Sequence, residues 1–453
     1  MSIGMNSKHD FGTKLSEVVS PSRPIRSIQH LKGREPELNT IERALFAPGR
    51  HVFIYGDRGV GKSSLAATAA YQYQSAEAEP IFVSGSLDDT FKTVVANIAN
   101  HALGRSRTES VKRQTSLGIE WRGLKWGAGV EISAIDIATQ IQSVGDAVEL
   151  LKQVAIQHSE KPIIVLDEFD TIAEQSERNK FAALLKQLGD QSVNIKFIFT
   201  GIGSTLDELL GAHQSAYRQL ETVELPRLGW EARREIVVRA AEAFGLSVDD
   251  NINWRIAAVS DGYPYYVHLI AEKMLWEAFI DEKIVDTLNS DHYQLGLHAA
   301  IQSISAELKK PYELAVSLRD QEFENVVWST ADGDDLFISL VDMYEAYRAL
   351  VEKRGLNSEL DRKKYSEYVR KLKGQSYGEI LEQMKNRKGW YLYKEKMLRG
   401  YVRMQAEANG IQLAGERVAP RQKMHIPGNA RTGYHGSSAP RGVRDSFKEI
   451  TKA

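Results

Sequence analysis

The sequence contains no cysteine. Disulfide bonds and thiolate metal sites are therefore excluded, and a reducing cytosol is the simplest compartment. The chain also lacks any apolar run of about 18 residues, and its first residues show no apolar stretch of a secretion signal. We therefore expect a cytoplasmic protein that neither spans a membrane nor is secreted. The formal net charge of −2 indicates no class of partner by itself.

The strongest motif of the sequence lies in segment 51–65. An apolar run, Val52–Tyr55, predicts a buried strand, and an alanine-rich helical stretch follows the motif. The motif itself is Gly-x-x-x-x-Gly-Lys-Ser, a phosphate loop whose glycines let backbone N–H groups surround a phosphate. We expect Lys62 to reach the outer phosphates and Ser63 to bind magnesium. The predicted nucleotide contacts in this loop are Gly56, Asp57, Arg58, Gly59, Val60, Gly61, Lys62, Ser63 and Ser64.

A second motif stands at the end of another apolar run. Ile163–Leu166 predicts a buried parallel strand, and Asp167 and Glu168 follow it directly. Acidic side chains at the carboxyl end of such a strand face the crevice where ligands bind. Downstream of a phosphate loop, we expect Asp167 to hold the magnesium ion through water and Glu168 to be the general base that polarises the attacking water.

Three further strands are predicted at Pro80–Ser84, Ile195–Phe199 and Val223–Leu225. Strands that alternate with helices predict an α/β fold: a five-stranded parallel P-loop sheet with a helical lid, followed by an α-helical winged-helix domain. The expected parts are a flexible leader over 1–27, a nucleotide-binding core over 28–228 with an inserted β-hairpin at about 115–132, a lid over 229–300, the winged-helix domain over 301–410, and a basic disordered tail over 411–453. The two tryptophans of the hairpin fit either a face packed on its own domain or a partner surface.

Positive charge is concentrated near the end of the chain. Residues 361–404 hold 13 lysines and arginines against 5 acidic residues, and residues 417–453 hold 8 against 2. Predicted helices over 336–352, 363–373 and 377–385, with a short extended element over 389–393, are consistent with a winged helix. This charge fits either a DNA-binding surface or a solvated helix face that docks an acidic partner.

Together these motifs resemble the AAA+ ATPases, closest to the origin-recognition and initiator branch and its archaeal and STAND relatives. The residues that carry the resemblance are Gly33-Arg34-Glu35, the phosphate loop, Asp167-Glu168, Thr200 at a strand end, Arg218 before the fifth strand, and Gly262-Tyr263-Pro264 in the lid.

The resemblance implies roles for three of these residues. Thr200 would be the sensor of the γ-phosphate, Arg218 an arginine finger acting on a neighbouring subunit, and Pro264 a contact to adenine or phosphates. An arginine in an ordinary salt bridge is the alternative for Arg218. The lid arginine common in AAA+ proteins is missing from Asp261–Tyr265, which favours a nucleotide-governed switch over a rapid hydrolase.

Two functions remain open at this point. In the first, ATP, Mg²⁺ and formation of a homo-oligomer control binding of duplex DNA through residues 361–404 and the tail. In the second, the chain is a STAND-like sensor that regulates a separate effector protein, for example in phage defence. A small-molecule kinase would also use a phosphate loop, but the fifth strand, lid and winged helix count against it.

Overall fold

The computed structural model describes residue 3 and residues 7–74, 78–109, 119–121, 124–126, 134–212, 218–317, 319–356 and 359–413. Its helices are α1 Lys8–Val18, α2 Glu35–Phe46, α3 Lys62–Tyr73, α4 Phe91–Glu109, α5 Ala134–Gln140, α6 Val144–His158, α7 Gln175–Asp190, α8 Gly203–Ala212, α9 Trp230–Glu242, α10 Asp250–Val259, α11 Pro264–Ile280, α12 Ser290–Ser303, α13 Ala306–Val316, α14 Gln321–Ser329, α15 Leu340–Lys353, α16 Arg362–Lys371 and α17 Leu398–Ala408. Its strands are β1 His51–Tyr55, β2 Ile81–Ser84, β3 Ile119–Trp121, β4 Leu124–Trp126, β5 Ile163–Asp167, β6 Lys196–Gly201, β7 Leu220–Glu224, β8 Ser247–Val248, β9 Thr287–Leu288, β10 Ile338–Ser339, β11 Leu381–Gln383 and β12 Trp390–Tyr393.

A five-stranded sheet in the order β2-β5-β6-β1-β7 organises the first half of the chain, and all its strand pairs are parallel. The predicted five-stranded parallel sheet is confirmed. Alternate residues of each strand face opposite sides: Val52 and Ile54 pack with α3, whereas Phe53 packs with α4, α6 and α7. Because helices cover both faces, β1, β2, β5 and β6 contain continuous apolar runs, which is why the sequence reveals them, whereas β7 at the sheet edge mixes apolar and polar residues.

The predicted flexible leader differs from the structure. Residues 8–18 form helix α1, which Ser7 caps by accepting from the N–H groups of His9 and Asp10. Phe11 is fully buried, with its ring stacked on Phe279 at a centroid distance of 4.3 Å. Phe11 and Leu15 are the buried side chains of this helix, and the partly buried Val18 packs on the same core, so three apolar residues among polar ones anchor it.

Two short strands lie within the predicted inserted hairpin. Strands β3 and β4 pair antiparallel, with Ile119 opposite Trp126 and Trp121 opposite Leu124. The rest of the predicted insertion over 115–132 lies outside the described residues. Whether the hairpin packs on its own domain or forms a partner surface therefore stays open. The basic tail from residue 414 onward is also outside them.

The lid and the C-terminal part are mostly helical, as predicted. Helices α9 to α12 form the lid, where α11 packs on both α9 and α12. Further on, α14, α15 and α16 pack on one another beside an antiparallel sheet in the order β10-β12-β11. No helix of the described ranges is long and apolar enough to cross a membrane.

One predicted helix of the C-terminal part is wrong. Residues 377–385 do not form a helix; they contain the end of a 3-10 turn, Gln375–Tyr377, and then strand β11. Gly378 stops helical continuation because its φ is +77° and its Cα faces the carbonyl of Pro311, leaving no room for a side chain. Helix α15 also begins later than predicted, at Leu340, because Ser339 caps it by accepting from Asp342 N–H at 3.1 Å.

Candidate nucleotide-binding site

The phosphate loop connects the buried strand β1 to helix α3. Gly61 precedes the first turn of α3 with φ +99° and Gly59 has φ +79°, conformations that L side chains rarely adopt. Val60 is buried and anchors the loop in the core. The loop thereby directs backbone N–H groups and the positive end of the α3 dipole toward one point.

Lys62 lies over this loop. Its Nζ donates to the carbonyls of Gly56 at 3.1 Å and Asp57 at 2.9 Å. Burial lowers the pKa of the Lys62 ammonium, and the carboxylates of Asp170 and Asp167 oppose that shift. Lys62 is therefore a positive charge held by weak neutral acceptors, which a phosphate oxygen can replace.

Three oxygen-bearing side chains meet beside the loop. Ser63 Oγ donates to Asp167 Oδ1 at 3.0 Å, and Thr200 Oγ1 donates a short hydrogen bond to the same oxygen. Their strands and helix are neighbours, because β6 lies between β1 and β5. The predicted position of Thr200, on the strand next to the phosphate-loop strand, is therefore confirmed.

Glu168 stands at the edge of this group. Its backbone is in the left-handed region, with φ +53°, and its N–H donates to Thr200 Oγ1 at 3.0 Å. Thr171 Oγ1 donates to the Glu168 carbonyl at 2.7 Å. The strained backbone is held by these bonds, and the carboxylate remains exposed.

Part of the chain matches a known protein family. Residues 30–198 match the family described as AAA ATPase domain. This segment is similar to AAA ATPase domains. No curated protein matches the chain.

Solved structures resemble the chain at low identity. A Walker-type ATPase of Pyrococcus abyssi has a TM-score of 0.49 at 14% identity, over 84% of this chain and 99% of that one. Cdc6p of Pyrobaculum aerophilum has a TM-score of 0.44 at 15% identity, over 87% and 97%. The ORC1 protein of Aeropyrum pernix, solved in complex with DNA, has a TM-score of 0.41 at 16% identity, over 83% and 93%.

Two residues of the AAA ATPase-like segment were not assigned a site role from the sequence. Asp170 follows Glu168 by two positions, and its carboxylate opposes the lowering of the Lys62 pKa by burial. Arg34 is buried and donates from Nη2 to the carbonyls of Val60 at 2.9 Å and Pro226 at 2.8 Å. The Gly-Arg-Glu signal pointed to this arginine, but its contact with the phosphate loop joins residues far apart in sequence.

The remaining predicted site residues lie in different surroundings. Ser64 Oγ accepts from Ile25 N–H at 3.1 Å, so its hydroxyl anchors the leader. Arg58 is exposed and pairs with Glu307 at 3.3 Å. Arg218 is exposed two residues before β7, and no ion pair to it is found within the described residues. Its role as an arginine finger stays a prediction.

Pro264 lies beside the phosphate loop. A methyl group built on Gly61 would be 3.6 Å from Pro264 Cγ. One turn further along α11, His268 is buried and its two ring nitrogens have no hydrogen-bond partner. It borders a cavity of about 350 Å³ between the lid and the leader, lined also by Val18, Gln29, His30, Lys32, Ile236, Arg239, Ala240 and Ala243.

The turn before Pro264 lacks an arginine of its own, but arginines reach it from other segments. Asp261 is buried, and Arg399 binds it through Nε at 2.7 Å and Nη2 at 2.6 Å. Arg227 lies 2.5 Å and Arg403 3.2 Å from the same carboxylate. These guanidiniums also donate to backbone carbonyls over 331–335, so the Asp261 cluster joins the lid to the C-terminal part.

Proposed function

We propose that the chain is an ATP-binding and ATP-hydrolysing AAA+ switch that couples its nucleotide state and oligomerisation to DNA binding. The observation that carries the proposal is the connected group of Ser63, Asp167 and Thr200 beside Lys62 and the phosphate loop. Its members come from α3, β5 and β6, and together they supply the positioning and electrostatics on which phosphoryl transfer depends.

The donor set fits a magnesium ion. Ser63 Oγ and Asp167 Oδ1 are hard oxygen ligands 3.0 Å apart, and Mg²⁺ takes few protein ligands beside phosphates and water. The described residues contain no cluster of three or more acidic or histidine ligands that would hold a metal alone. When bound, Mg²⁺ would neutralise charge on the phosphates.

The side chains then have separable roles. Lys62 binds outer phosphate oxygens, and Thr200 keeps Asp167 and the Glu168 backbone in place. Glu168, exposed at the end of β5, takes the proton of the attacking water. The cavity beside His268, one helical turn beyond Pro264, is large enough for a nucleobase.

Two substitutions test this assignment. We expect Lys62→Ala to abolish ATP binding, because it removes the phosphate-binding cation. We expect Glu168→Gln to bind ATP with unchanged affinity but to lower turnover by about 100-fold or more. Glu174→Gln, an exposed acid at the start of α7, is the matched control. Equal turnover of Glu168→Gln and wild type would refute the base assignment.

Oligomerisation is tested through Arg218. If this arginine acts on a neighbouring subunit, Arg218→Ala and Glu168→Gln subunits are each inactive alone, yet a mixture regains part of the activity. The mixed interface then pairs an intact base with an intact arginine. Failure of rescue in an oligomer shown to be mixed would make Arg218 a structural residue.

DNA binding is proposed for the surface formed by α16 and the β11–β12 hairpin. The succession of α14, β10, α15, α16, β11 and β12 supports the winged-helix interpretation. Of the 13 basic residues over 361–404, ten are exposed, namely Arg362, Lys363, Lys364, Arg370, Lys371, Lys373, Lys385, Arg387, Lys388 and Lys394. The other three, Lys396, Arg399 and Arg403, bind acids of the same chain, so the surface is less basic than the sequence count suggests.

A duplex-binding assay over a salt series tests this surface. Affinity should fall steeply with salt, and Arg362→Ala and Lys363→Ala should each reduce the log–log slope by about 1. Lys186→Ala, exposed on α7 of the core, should leave the slope unchanged. No measurable binding at low salt would instead favour a sensor that regulates a separate effector.

A further inference from the structure

The segment before α17 contacts the phosphate loop. Lys396 forms an ion pair with Asp57, the second residue of the loop. The next residue, Met397, packs on Gly59 so closely that a β-carbon at Gly59 would overlap the Met397 side chain. A part of the chain more than 300 positions away, as counted from the residue numbers, therefore borders the nucleotide site.

The same segment is fixed from behind by the lid. Tyr266 Oη donates to the Met397 carbonyl at 2.8 Å, and Arg399 binds the buried carboxylate of Asp261. Gly400 leaves room for Tyr266, because a β-carbon there would lie 2.7 Å from Tyr266 Cε2. Lys396 is thus attached to a rigid anchor, although its own side chain is still 31% exposed.

The positive charge around the phosphate loop favours binding of a polyanion. The loop N–H groups and Lys62 already attract phosphate, and Lys396 brings a second ammonium to the same loop. Its present partner, Asp57, is a single carboxylate that is 27% exposed. A triphosphate offers more negative charge and more acceptor oxygens, and a lysine side chain is long enough to exchange one acceptor for another.

We propose that Lys396 is a second phosphate-binding lysine of the nucleotide site, supplied by the C-terminal domain. A bound nucleotide then holds α17 against the phosphate loop. This inference depends on the proposed function, because it requires nucleotide at that loop. The two equilibria are linked. If nucleotide binding increases the population in which α17 contacts the phosphate loop by some factor, that contact increases the affinity for nucleotide by the same factor.

The first experiment measures the dissociation constants of fluorescent ATP and ADP analogues. We expect Lys396→Gln to weaken binding about tenfold, as for the loss of one charged hydrogen bond. Lys353→Gln, an exposed lysine at the end of α15, should bind like wild type. Thermal melts of each variant without nucleotide identify any loss of folding.

The variant Asp57→Asn distinguishes two roles of the Lys396–Asp57 ion pair, phosphate binding by Lys396 and stabilisation of the loop shape. If Lys396 serves the phosphates, removing its competitor Asp57 should tighten nucleotide binding, whereas Lys396→Gln weakens it. If the pair only shapes the loop, both variants should weaken binding to the same extent. That second outcome would overturn the proposal.

Amide hydrogen exchange gives a readout of docking itself. Adding ATP should slow exchange in α17 of wild type and of Lys353→Gln by about tenfold, and should have no such effect in Lys396→Gln. Wild-type affinity and protection in Lys396→Gln, with no binding by Lys62→Ala, would refute the role of Lys396 and leave the proposed function standing. Wild-type affinity in Lys62→Ala would refute the proposed function itself.

Discussion

Two aspartates lie at the centre of two different clusters in this molecule. Asp167 receives hydrogen bonds from the neutral hydroxyls of Ser63 and Thr200 at the open edge of the sheet. Asp261 is fully buried and is surrounded by guanidiniums from Arg227, Arg399 and Arg403. Neutral donors leave the charge of Asp167 available to a cation, whereas the arginines consume that of Asp261.

The same type of side chain thus has a chemical role at Asp167 and a structural role at Asp261. A carboxylate meant to hold a metal needs oriented neighbours that do not neutralise it. A buried carboxylate that joins segments needs partners of opposite charge, since burying an unpaired ion costs roughly several kcal/mol of folding free energy. Asp261 joins the lid turn to α17 in this way.

The largest expected effect is on stability. Asp261→Asn leaves three arginines around a neutral amide, and we expect the free energy of unfolding to drop by about 3–5 kcal/mol. Urea denaturation measures this. Asp167→Asn should change stability by less than about 1 kcal/mol but abolish ATP turnover. Equal stability of the two variants would show that the Asp261 cluster is not structural.

Acid should weaken the same cluster. Burial alone would raise the pKa of the Asp261 carboxyl, but Arg399 and Arg403 outweigh it and lower the pKa from 3.8 to about 2. A lowered pKa contributes stability that is complete above about pH 4 and is lost as the pH falls through 2. The contribution amounts to about 2–3 kcal/mol.

The check on the acid effect is a difference between two proteins. Unfolding free energies of wild type and Asp261→Asn, measured from pH 5 to pH 2, should converge as the pH falls. A constant difference over this range would contradict the lowered pKa of Asp261.

A smaller effect, on turnover, is expected at the cluster of Ser63, Asp167 and Thr200. Thr200→Val removes the hydroxyl that bonds both Asp167 and the Glu168 N–H, and turnover should fall about tenfold, or about 1.4 kcal/mol in activation free energy. Steady-state kinetics should show the loss in kcat. Thr68→Val removes a buried hydroxyl that donates to Ile25 at 3.0 Å, and it should keep wild-type turnover. Equal loss in both variants would indicate a general packing effect.

The sheet and its site could be predicted because their signals are local. Four of the five strands of the parallel sheet, β1, β2, β5 and β6, contain a short apolar run, and the polar residues at the strand ends fall at one edge of the sheet. The phosphate loop, Asp167 and Thr200 were therefore found from adjacent residues, and the structure brings them together.

The Asp261 cluster could not be found in this way. Its four charged members come from three separate segments, since Arg399 and Arg403 share α17, and each looks like a surface charge until the chain folds. The same holds for Arg34, which precedes α2 and whose hydrogen bond to the Val60 carbonyl reaches the phosphate loop. Counting basic residues over 361–404 overstates the basic surface for a related reason, because burial of Arg399 and Arg403 is not visible in composition.

Helix α1 has a consequence for how the chain is made. Phe11 packs against Phe244, Trp276 and Phe279 in the lid, and Ile25 is tied to α3 through Ser64 and Thr68. Helix α1 therefore lacks part of its packing surface until residue 279 has been synthesised. During translation the apolar side chains of this helix stay unpacked until the lid has been synthesised, so a chaperone that binds apolar segments can bind them.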